Sequence, residues 1–263
     1  MDKPINEHQK PVKRLTDKQI KRRQFITFSS FAVLGSATWF GWRKLYTSAI
    51  EPTTVTAGAH KLLRRALNKN ELIFRRLFYS EKHLVRTYPK EMAAKNVRQN
   101  SDVGLTGKFD PVDWNLQVNL GPGNIMCVSL DELKALPKTE IVFDFKCVEG
   151  WDQIQHWAGV KFADFVAHYK LDKLAQMDYV GMETPDKQYY IGLDSDSAMH
   201  PQTILAYEMN DKPLPLNHGA PLRLIIPVKY GIKNLKRIAT ITFSNTRPPD
   251  YWAEQGYDYY SGL

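Results

Sequence analysis

The sequence predicts an α+β protein in which a mixed β-sheet domain follows an N-terminal helical extension. Two patterns carry this prediction. Short apolar segments, several of them alternating, recur between residues 114 and 243, and apolar residues fall at helical spacing between residues 60 and 80. With 263 residues the chain is long enough for one large domain with a substantial core.

The net charge of +8 belongs to the beginning of the chain. Residues 1–50 contain ten Lys or Arg and three Asp or Glu, whereas residues 51–263 contain 26 basic and 25 acidic side chains. Because the body is close to neutral, we expect no nucleic-acid-binding function.

Residues 1–50 have the features of an export signal. A basic region ends at Lys21-Arg22-Arg23, and a mildly apolar run follows from Phe25 to Trp42. Two arginines before a polar-to-apolar switch are typical of the twin-arginine signal, with an ordinary basic flank as the alternative. As a helix the apolar run is about 27 Å long, which is barely enough to span a bilayer. We therefore expect a periplasmic protein whose leader is either cleaved or kept as a membrane anchor.

Residues 51–96 are predicted to form a linker, at residues 53–58, and a helical extension. The basic amphipathic pattern from His60 to Ser80 predicts helix, divided in two by a break at Asn68–Asn70. Such a helix can lie on a membrane or bind a partner, but packing on its own domain is favoured.

Residues 97–263 are predicted to form a single mixed domain. Ser129 and Glu132 form a capping box for a short helix that follows the second strand. The predicted strands are 114–120, 125–128, 139–145, 179–182, 189–191, 222–226 and 238–243, and the predicted helices are 130–136, 162–169 and 201–209.

A single cysteine stands at the end of one predicted strand. Phe143 and Phe145 alternate on one face of strand 139–145, which leads to Cys147 in a turn. A thiol at the mouth of a buried strand among large aromatic residues suits a soft metal ligand in a dry pocket. The alternatives are a packed core thiol and a disulfide with Cys127. The chain has no Cys-x-x-Cys-His motif, so covalently attached haem is not expected.

Residues 216–237 combine a strand arginine with a basic loop. Arg223 alternates with Leu222 and Leu224 on an apolar strand, and it needs an anionic partner if it is buried. The loop 227–236 contains a glycine and several lysines, so it offers N–H and ammonium groups that can bind phosphate. A solvated surface loop is the alternative.

Several segments between residues 88 and 257 agree in order and spacing with one family. They are Lys146-Cys147-Val148-Glu149-Gly150-Trp151, Trp157-Ala158-Gly159-Val160, Glu183-Thr184, Ala198-Met199-His200-Pro201, His218-Gly219-Ala220-Pro221-Leu222-Arg223 and Lys229-Tyr230-Gly231-Ile232-Lys233. Through these segments the chain resembles the sulfite-oxidase-like molybdopterin oxidoreductases, and within them the exported bacterial protein-methionine-sulfoxide reductases.

The resemblance implies a sulfite-oxidase-type molybdopterin-binding domain that holds one molybdenum and one molybdopterin, with no haem in this chain. Cys147 matches the cysteine that ligates the metal at the catalytic centre. The cofactor-binding positions of the family match Thr184, His218, Arg223, Asn234, Leu235 and Lys236. Trp151, Trp157 and Tyr230 are candidates to exclude water from the pocket, with core packing as the alternative.

One segment departs from the reductases. Their Asn-Asn-Phe-Tyr-Glu-Phe-like run, which also holds the cofactor, is replaced here by residues 97–105. Arg98 and Asn100 are the candidate substitutes. The departure bears on the substrate rather than on the cofactor.

The resemblance implies a two-electron oxygen-atom transfer, and the local charge indicates its direction. Glu149 follows Cys147 closely and Lys146 is the only adjacent base, so a neutral S-oxide or N-oxide is favoured over sulfite. We expect a reductase of substrates such as methionine sulfoxide, with electrons from a membrane cytochrome b. One alternative is a sulfite-type dehydrogenase on the same cofactor. The other is a non-enzymatic exported binding module with a Cys127–Cys147 disulfide.

Overall fold

Two β-sheets of five strands each form the body of the protein. The structure is a computed structural model that describes residues 16–51, 58–105 and 109–262 of the chain. The strands are β1 Leu116–Gly121, β2 Asn124–Val128, β3 Lys138–Lys146, β4 Asp152–Lys161, β5 Tyr179–Glu183, β6 Tyr190–Asp194, β7 Ile204–Met209, β8 Lys212–Pro213, β9 Arg223–Ile225 and β10 Thr240–Ser244. The first sheet has the order β2-β1-β10-β5-β6, and the second has the order β3-β4-β7-β8, with β9 also paired to β7. Only β1 and β10 pair in parallel among these strands, which makes the first sheet mixed. The α+β prediction is confirmed.

Two long helices precede the sheets, and short helices connect the strands. The helices are α1 Asp17–Tyr46, α2 Lys61–Phe78, α3 Leu130–Lys134, α4 Phe162–His168, α5 Asp172–Ala175, α6 Ser195–Ala198 and α7 Tyr251–Glu254, with 3₁₀ turns at Lys90–Met92, Leu216–His218 and Gly231–Lys233. The predicted capping box is present at α3: the Ser129 hydroxyl accepts from the Glu132 N–H at 3.3 Å, and the Glu132 carboxylate accepts from the Ser129 N–H at 2.8 Å.

The second sheet is buried on both faces. Leu205 and Leu224 belong to the main core, which also contains side chains of the first sheet such as Val118. Ile204 and Ile225, one residue along on the same strands, belong to a second apolar cluster with Phe143, Phe145 and Trp157. Because successive side chains of a strand point to opposite faces, the two clusters lie on opposite sides of this sheet.

This double burial explains where the predicted elements were wrong. The helix predicted at 201–209 is strand β7, whose residues Ile204–Tyr207 are all buried, and a short continuous apolar run does not distinguish a buried strand from a helix. Strand β4 was not predicted, because its buried run includes the polar residues Gln155 and His156. The helix break predicted at Asn68–Asn70 is also wrong, since α2 is continuous.

The N-terminal segment contains one continuous helix. α1 begins at Asp17, includes the predicted twin arginines Arg22 and Arg23, and buries none of its residues. Across the described residues no helix combines the length and apolar character needed to cross a membrane. Residues 1–15 and most of the predicted linker, 52–57, lie outside the part of the chain that the structure describes.

Helix α2 adjoins the body across an apolar cavity of about 550 Å³. Phe74 and Phe78 of the helix line one side of the cavity, and Val228 and Tyr260 of the body line the other. The apolar side chains of the helix stay largely exposed, with Phe74 at 58% and Phe78 at 66%, so packing of the amphipathic helix on its own domain stays a prediction. The boundary predicted at residue 97 also stays a prediction.

A carboxyl pair lies in the same contact. Glu71 of α2 faces Asp258 of the C-terminal segment, with Arg64 at 3.7 Å and Arg247 also acting on it. Burial, and after it the charge of Asp258, raises the pKa of Glu71 from 4.5 to about 7, while the two arginines oppose the shift. Docking of α2 therefore favours protonated Glu71.

We expect the contact between α2 and the body to weaken as the pH rises from 5 to 8. A carboxyl group whose pKa is raised on docking stabilises the docked state below its ordinary pKa, and that stabilisation is lost as the pH passes the raised value. Amide hydrogen exchange of α2, corrected for the intrinsic pH dependence, should accelerate over this interval in the wild type and stay nearly constant in Glu71→Gln. The exposed Glu91→Gln is the matched control, and an unchanged pH dependence in Glu71→Gln contradicts the assignment.

Candidate functional site

Cys147 lies in a tight turn between the antiparallel strands β3 and β4. Its N–H donates to the carbonyl of Trp151 at 2.9 Å, and the Gly150 N–H donates to the Cys147 carbonyl at 3.1 Å. Gly150 has a φ of +84°, a conformation that favours glycine. Since the flanking residues Lys146 and Asp152 are paired across the two strands, the turn holds the thiol in a fixed place.

The surroundings of the Cys147 sulfur suit a ligand thiolate. Burial, together with the negative charge of Glu149, raises the pKa of the thiol, whereas hydrogen bonds from the N–H groups of Glu149 and Val148 and the charge of Arg98 act in the opposite direction. A coordinating metal deprotonates a thiol, and N–H donors to the sulfur then stabilise the bound thiolate.

Cys127 does not join Cys147 in a disulfide. Cys127 is exposed on β2 of the first sheet, Cys147 is buried after β3 of the second sheet, and both are free. The alternative of a disulfide-linked module is therefore contradicted by the structure.

Two pockets meet at Cys147. The inner cavity extends toward the loop after β9, and the outer pocket opens at the end of β3. The inner cavity is lined by Cys147 together with Asn100, Ser101, Val103, Val148, Glu149, Tyr189, Gly231, Ile232, Asn234, Lys236, Trp252 and Tyr257. The outer pocket is lined by Cys147 together with Asp144, Lys146, Val148, Gly150, Trp151, Asp152 and Tyr230.

Arg223 is a buried cation without an acidic partner. Its side chain donates to the carbonyls of His218 at 3.1 Å and Asn234 at 3.2 Å, and its guanidinium lies 4.4 Å from the centre of the Trp157 ring. Its Nε has no hydrogen-bond partner, and within the described residues no carboxylate lies within 4.0 Å of it. Burial lowers its pKa to about 9. The described part of the chain therefore provides no anionic partner for Arg223, although the sequence predicts that it needs one.

Lys236 adds a second buried cation beside the inner cavity. Its ammonium group donates to the carbonyls of Asn100 and Ser101. Burial, followed by the charge of Arg223, lowers its pKa to about 7, against the influence of Asp102. Carbonyl oxygens carry no full charge, so they leave the positive charge of Lys236 available to an anionic ligand.

His218 is a neutral neighbour of these cations. Burial, then Arg223 and Lys236, lower its pKa to about 4, so it is uncharged at neutral pH. Its ring lies 6.4 Å from that of Trp157. Trp157 thus packs beside Arg223 and His218, and none of these three residues lines the inner cavity or the outer pocket. Trp151 and Tyr230 do line the outer pocket.

The other lysines of the loop form ion pairs within the protein. Lys233 pairs with Asp250, where both side chains are 1% exposed, and Lys229 lies 3.6 Å from Asp194. The loop is therefore buried, which contradicts the alternative of a solvated surface loop. Among its cations, Lys236 is the one that lines the inner cavity.

The remaining predicted cofactor positions differ in what they offer. The side chain of Asn234, which lines the inner cavity, accepts from the Ile226 N–H at 2.8 Å and donates to the Tyr230 carbonyl at 3.1 Å. The side chain of Leu235 is buried in the main core, so it can offer a ligand only its backbone. Asn100 lines the cavity, as expected for a substitute of the missing reductase segment.

Thr184 lies beside the cavity rather than in its wall. Its hydroxyl donates to Asp186 at 2.6 Å and accepts from the Tyr189 N–H at 3.2 Å, which closes the turn after β5. A Cβ added to Gly104 would lie 2.7 Å from the Thr184 methyl group, so this segment packs tightly against the turn. Its role as a cofactor contact stays a prediction.

Sequence reasoning missed several residues of the inner cavity, among them Tyr189 and Trp252. Tyr189 donates from its hydroxyl to the Ile232 carbonyl, and the Trp252 indole N–H donates to that hydroxyl at 3.1 Å. Nothing in the local sequence pattern singles out either residue, because the contact joins segments more than 40 positions apart.

The inner cavity combines a free buried thiol, Cys147, with a buried lysine, Lys236, and Arg223 lies close enough to Lys236 to lower its pKa. A soft thiol and buried cations are the chemistry expected of a site for a metal carried by an anionic organic cofactor. The family model described as the oxidoreductase molybdopterin binding domain matches residues 103–252, more than half of the chain. The chain belongs to this family and is an oxidoreductase.

Several named proteins are similar to the chain over part of its length. A candidate protein-methionine-sulfoxide reductase subunit, YedZ1 of Azospira oryzae, is 34% identical over 70% of this chain and 70% of its own length. The protein-methionine-sulfoxide reductase catalytic subunit MsrP of Xanthomonas campestris is 37% identical over 58% of this chain and 51% of its own, and MsrP of Campylobacter jejuni is 30% identical over 61% and 60%. The chain thus spans only about half to two thirds of the length of these MsrP proteins.

One solved structure is a more distant match. The sulfane dehydrogenase SoxCD of Paracoccus pantotrophus aligns with a TM-score of 0.47 at 16% identity, over 53% of this chain and 40% of that one. At this distance the match adds nothing to the argument.

We expect Arg223→Met to weaken phosphate binding by the cofactor-free chain roughly 10- to 100-fold, since a hydrogen bond to a charged group contributes about 1.5–3 kcal/mol. The measurement is the rise of the thermal midpoint with inorganic phosphate, for protein made in cells unable to build molybdopterin. Arg223→Lys keeps the charge without the planar fork and should be intermediate. The exposed Lys134→Met is the control, and phosphate stabilisation that persists in folded Arg223→Met contradicts the prediction.

Proposed function

We propose that the chain is a molybdenum-dependent oxidoreductase that reduces S-oxide or N-oxide substrates, such as methionine sulfoxide, by two-electron oxygen-atom transfer. The observation that carries the choice of substrate is the charge of the outer pocket beside Cys147. The names of the MsrP relatives support the same substrate class.

The described residues fit one molybdenum carried by one molybdopterin. Cys147 would ligate the metal, and Arg223 with Lys236 would hold the phosphate of the pterin. The backbone of the loop from Asn234 to Lys236 would complete the hold, together with Asn100, whose carbonyl accepts a hydrogen bond from Lys236. When bound, this cofactor would supply the two-electron redox chemistry of oxygen-atom transfer.

The outer pocket disfavours an anionic substrate. Asp144 and Asp152 line it, and Lys146, its one lysine, lies 3.5 Å from Asp144. Glu149 accepts from the Trp151 indole N–H at 2.9 Å on the side of the inner cavity. Sulfite carries negative charge and would be repelled by the carboxylates of Asp152 and Glu149, whereas an S-oxide is neutral.

The aromatic walls suit a substrate with an apolar body. Trp151 and Tyr230 line the outer pocket, and the Arg98 guanidinium lies 4.5 Å from the centre of the Trp151 ring. Methionine side chains make favourable contacts with aromatic rings. Trp151 and Tyr230 would orient the side chain of methionine sulfoxide and exclude water from the reacting sulfur.

Asp144 can hold one of the protons that the reaction consumes. Reduction of a sulfoxide takes two electrons and two protons and gives a thioether and water. Burial, and after it the nearby carboxylate of Asp152, raise the pKa of Asp144, and its buried Oδ1 has no hydrogen-bond partner. A carboxyl group that keeps its proton to higher pH is suited to act as a general acid.

The electrons and the location are further parts of the proposal. We infer that the chain is exported folded through the twin-arginine pattern at Arg22-Arg23, and that it acts in the periplasm. The electron donor would be a membrane cytochrome b subunit reached through the N-terminal region. The exposed aromatic residues of α1, among them Phe25, Trp39 and Trp42, offer a surface for such a partner or for the membrane itself.

The decisive experiment compares both directions of oxygen transfer on the same molybdenum-loaded chain. We expect reduced viologen dye to be oxidised with methionine sulfoxide, and ferricyanide not to be reduced with sulfite, because the outer pocket carries carboxylates rather than an arginine cluster. Cofactor content is measured on the same sample, so that inactive apoprotein is recognised. Sulfite oxidation without any sulfoxide reduction would contradict this proposal and would show that the chain is a sulfite-type dehydrogenase.

A further inference from the structure

A second group of potential metal ligands lies at the other end of β3 from Cys147. Glu140 on β3, His156 on β4 and Asp211 in the turn between β7 and β8 each place one ligand atom within 4.8 Å of the others. Glu140 precedes Cys147 by seven residues of an extended strand, a separation of roughly 20 Å. The cluster is therefore distinct from the cofactor site.

The histidine of this cluster is buried and lacks a hydrogen-bond partner at one ring nitrogen. The side chain of His156 is 3% exposed, and its Nε2 has no hydrogen-bond partner although it lies 3.5 Å from the Glu140 carboxylate. A buried polar atom left without a partner costs free energy, so its retention points to a ligand. Its backbone carbonyl accepts from the Asn210 N–H at 3.2 Å, which fixes the ring beside the turn of Asp211.

Lys90 presently supplies the positive charge at this cluster. Its ammonium group lies 2.5 Å from the Glu140 carboxylate and 3.0 Å from that of Asp211. Hydrogen bonding to Lys90 lowers the pKa of both carboxyl groups, so both are ionised at neutral pH. The Lys90 side chain is 45% exposed on a short 3₁₀ turn, which leaves it room to move into solvent.

We propose that Glu140, His156 and Asp211 bind a divalent transition-metal cation, and that Lys90 is the resident cation that the metal displaces. One imidazole nitrogen with two carboxylate oxygens suits Zn²⁺ better than Mg²⁺ or Ca²⁺, which prefer oxygen ligands alone. The three residues come from β3, β4 and the β7–β8 turn, so bound metal would link three neighbouring parts of the second sheet.

Because the metal must displace Lys90, we expect substitution of Lys90 to strengthen metal binding. Metal binding must break two exposed ion pairs, each of which is weak because solvent screens it. Lys90→Met removes this competition and leaves two carboxylates that repel each other until the metal arrives. Zn²⁺ should therefore bind roughly 2- to 30-fold more tightly to Lys90→Met than to the wild type. Zn²⁺ should also raise the thermal midpoint of Lys90→Met by more than it raises that of the wild type.

The test uses the molybdenum-loaded chain after dialysis against a chelator. Zinc binding is then measured by equilibrium dialysis and by the rise of the thermal midpoint. We expect saturable binding in the wild type, tighter binding in Lys90→Met, and its loss in His156→Asn. The exposed His168→Asn is the matched control and should behave as the wild type. Lys90→Met keeps the test valid if His156→Asn fails to fold. Unchanged or weaker binding in Lys90→Met, or full binding in folded His156→Asn, overturns the proposal.

Discussion

The constraint on which the site depends is the burial of Arg223 without a carboxylate. Taking a guanidinium out of water is costly, and here two carbonyls and the Trp157 ring are the partners that the described residues provide. The neighbouring Lys236 is held in the same way by carbonyls. Among the described residues Lys233 has Asp250 as a partner, whereas no ion pair with an acidic group is found for Arg223 or Lys236. We propose that these two charges bind an anion from outside the chain.

The loop after β9, rather than the strand register, brings positive charge to Cys147. Across β7 and β4, Arg223 lies level with Thr139 near the start of β3, whereas Cys147 follows the other end of that strand. The loop after β9 then folds back so that Asn234 and Lys236 line the inner cavity with the thiol. The outer side of the same thiol meets carboxylates and aromatic rings. One face of Cys147 is thus suited to an anionic cofactor and the other to a neutral substrate.

The sequence predicted the parts of this site that local chemistry marks. Cys147 at a strand end and Arg223 on an apolar strand were recognised from alternation and residue type, and both lie where that reasoning put them. Strand β4 was missed and β7 was taken for a helix, because a strand buried on both faces has no period of two. The cavity residues Tyr189 and Trp252 could not be found, since only the tertiary pairing of distant segments gives them a role.

The most direct test of the account is X-ray absorption at the molybdenum edge for the wild type, Cys147→Ser and Cys127→Ser, each purified from cells that make molybdopterin. The account predicts stoichiometric molybdenum in the wild type and in Cys127→Ser. In Cys147→Ser the metal should lose one sulfur neighbour, while Arg223 and Lys236 should still retain the pterin. Folded wild-type protein without molybdenum or pterin, or an unchanged number of sulfur neighbours in Cys147→Ser, would contradict the account.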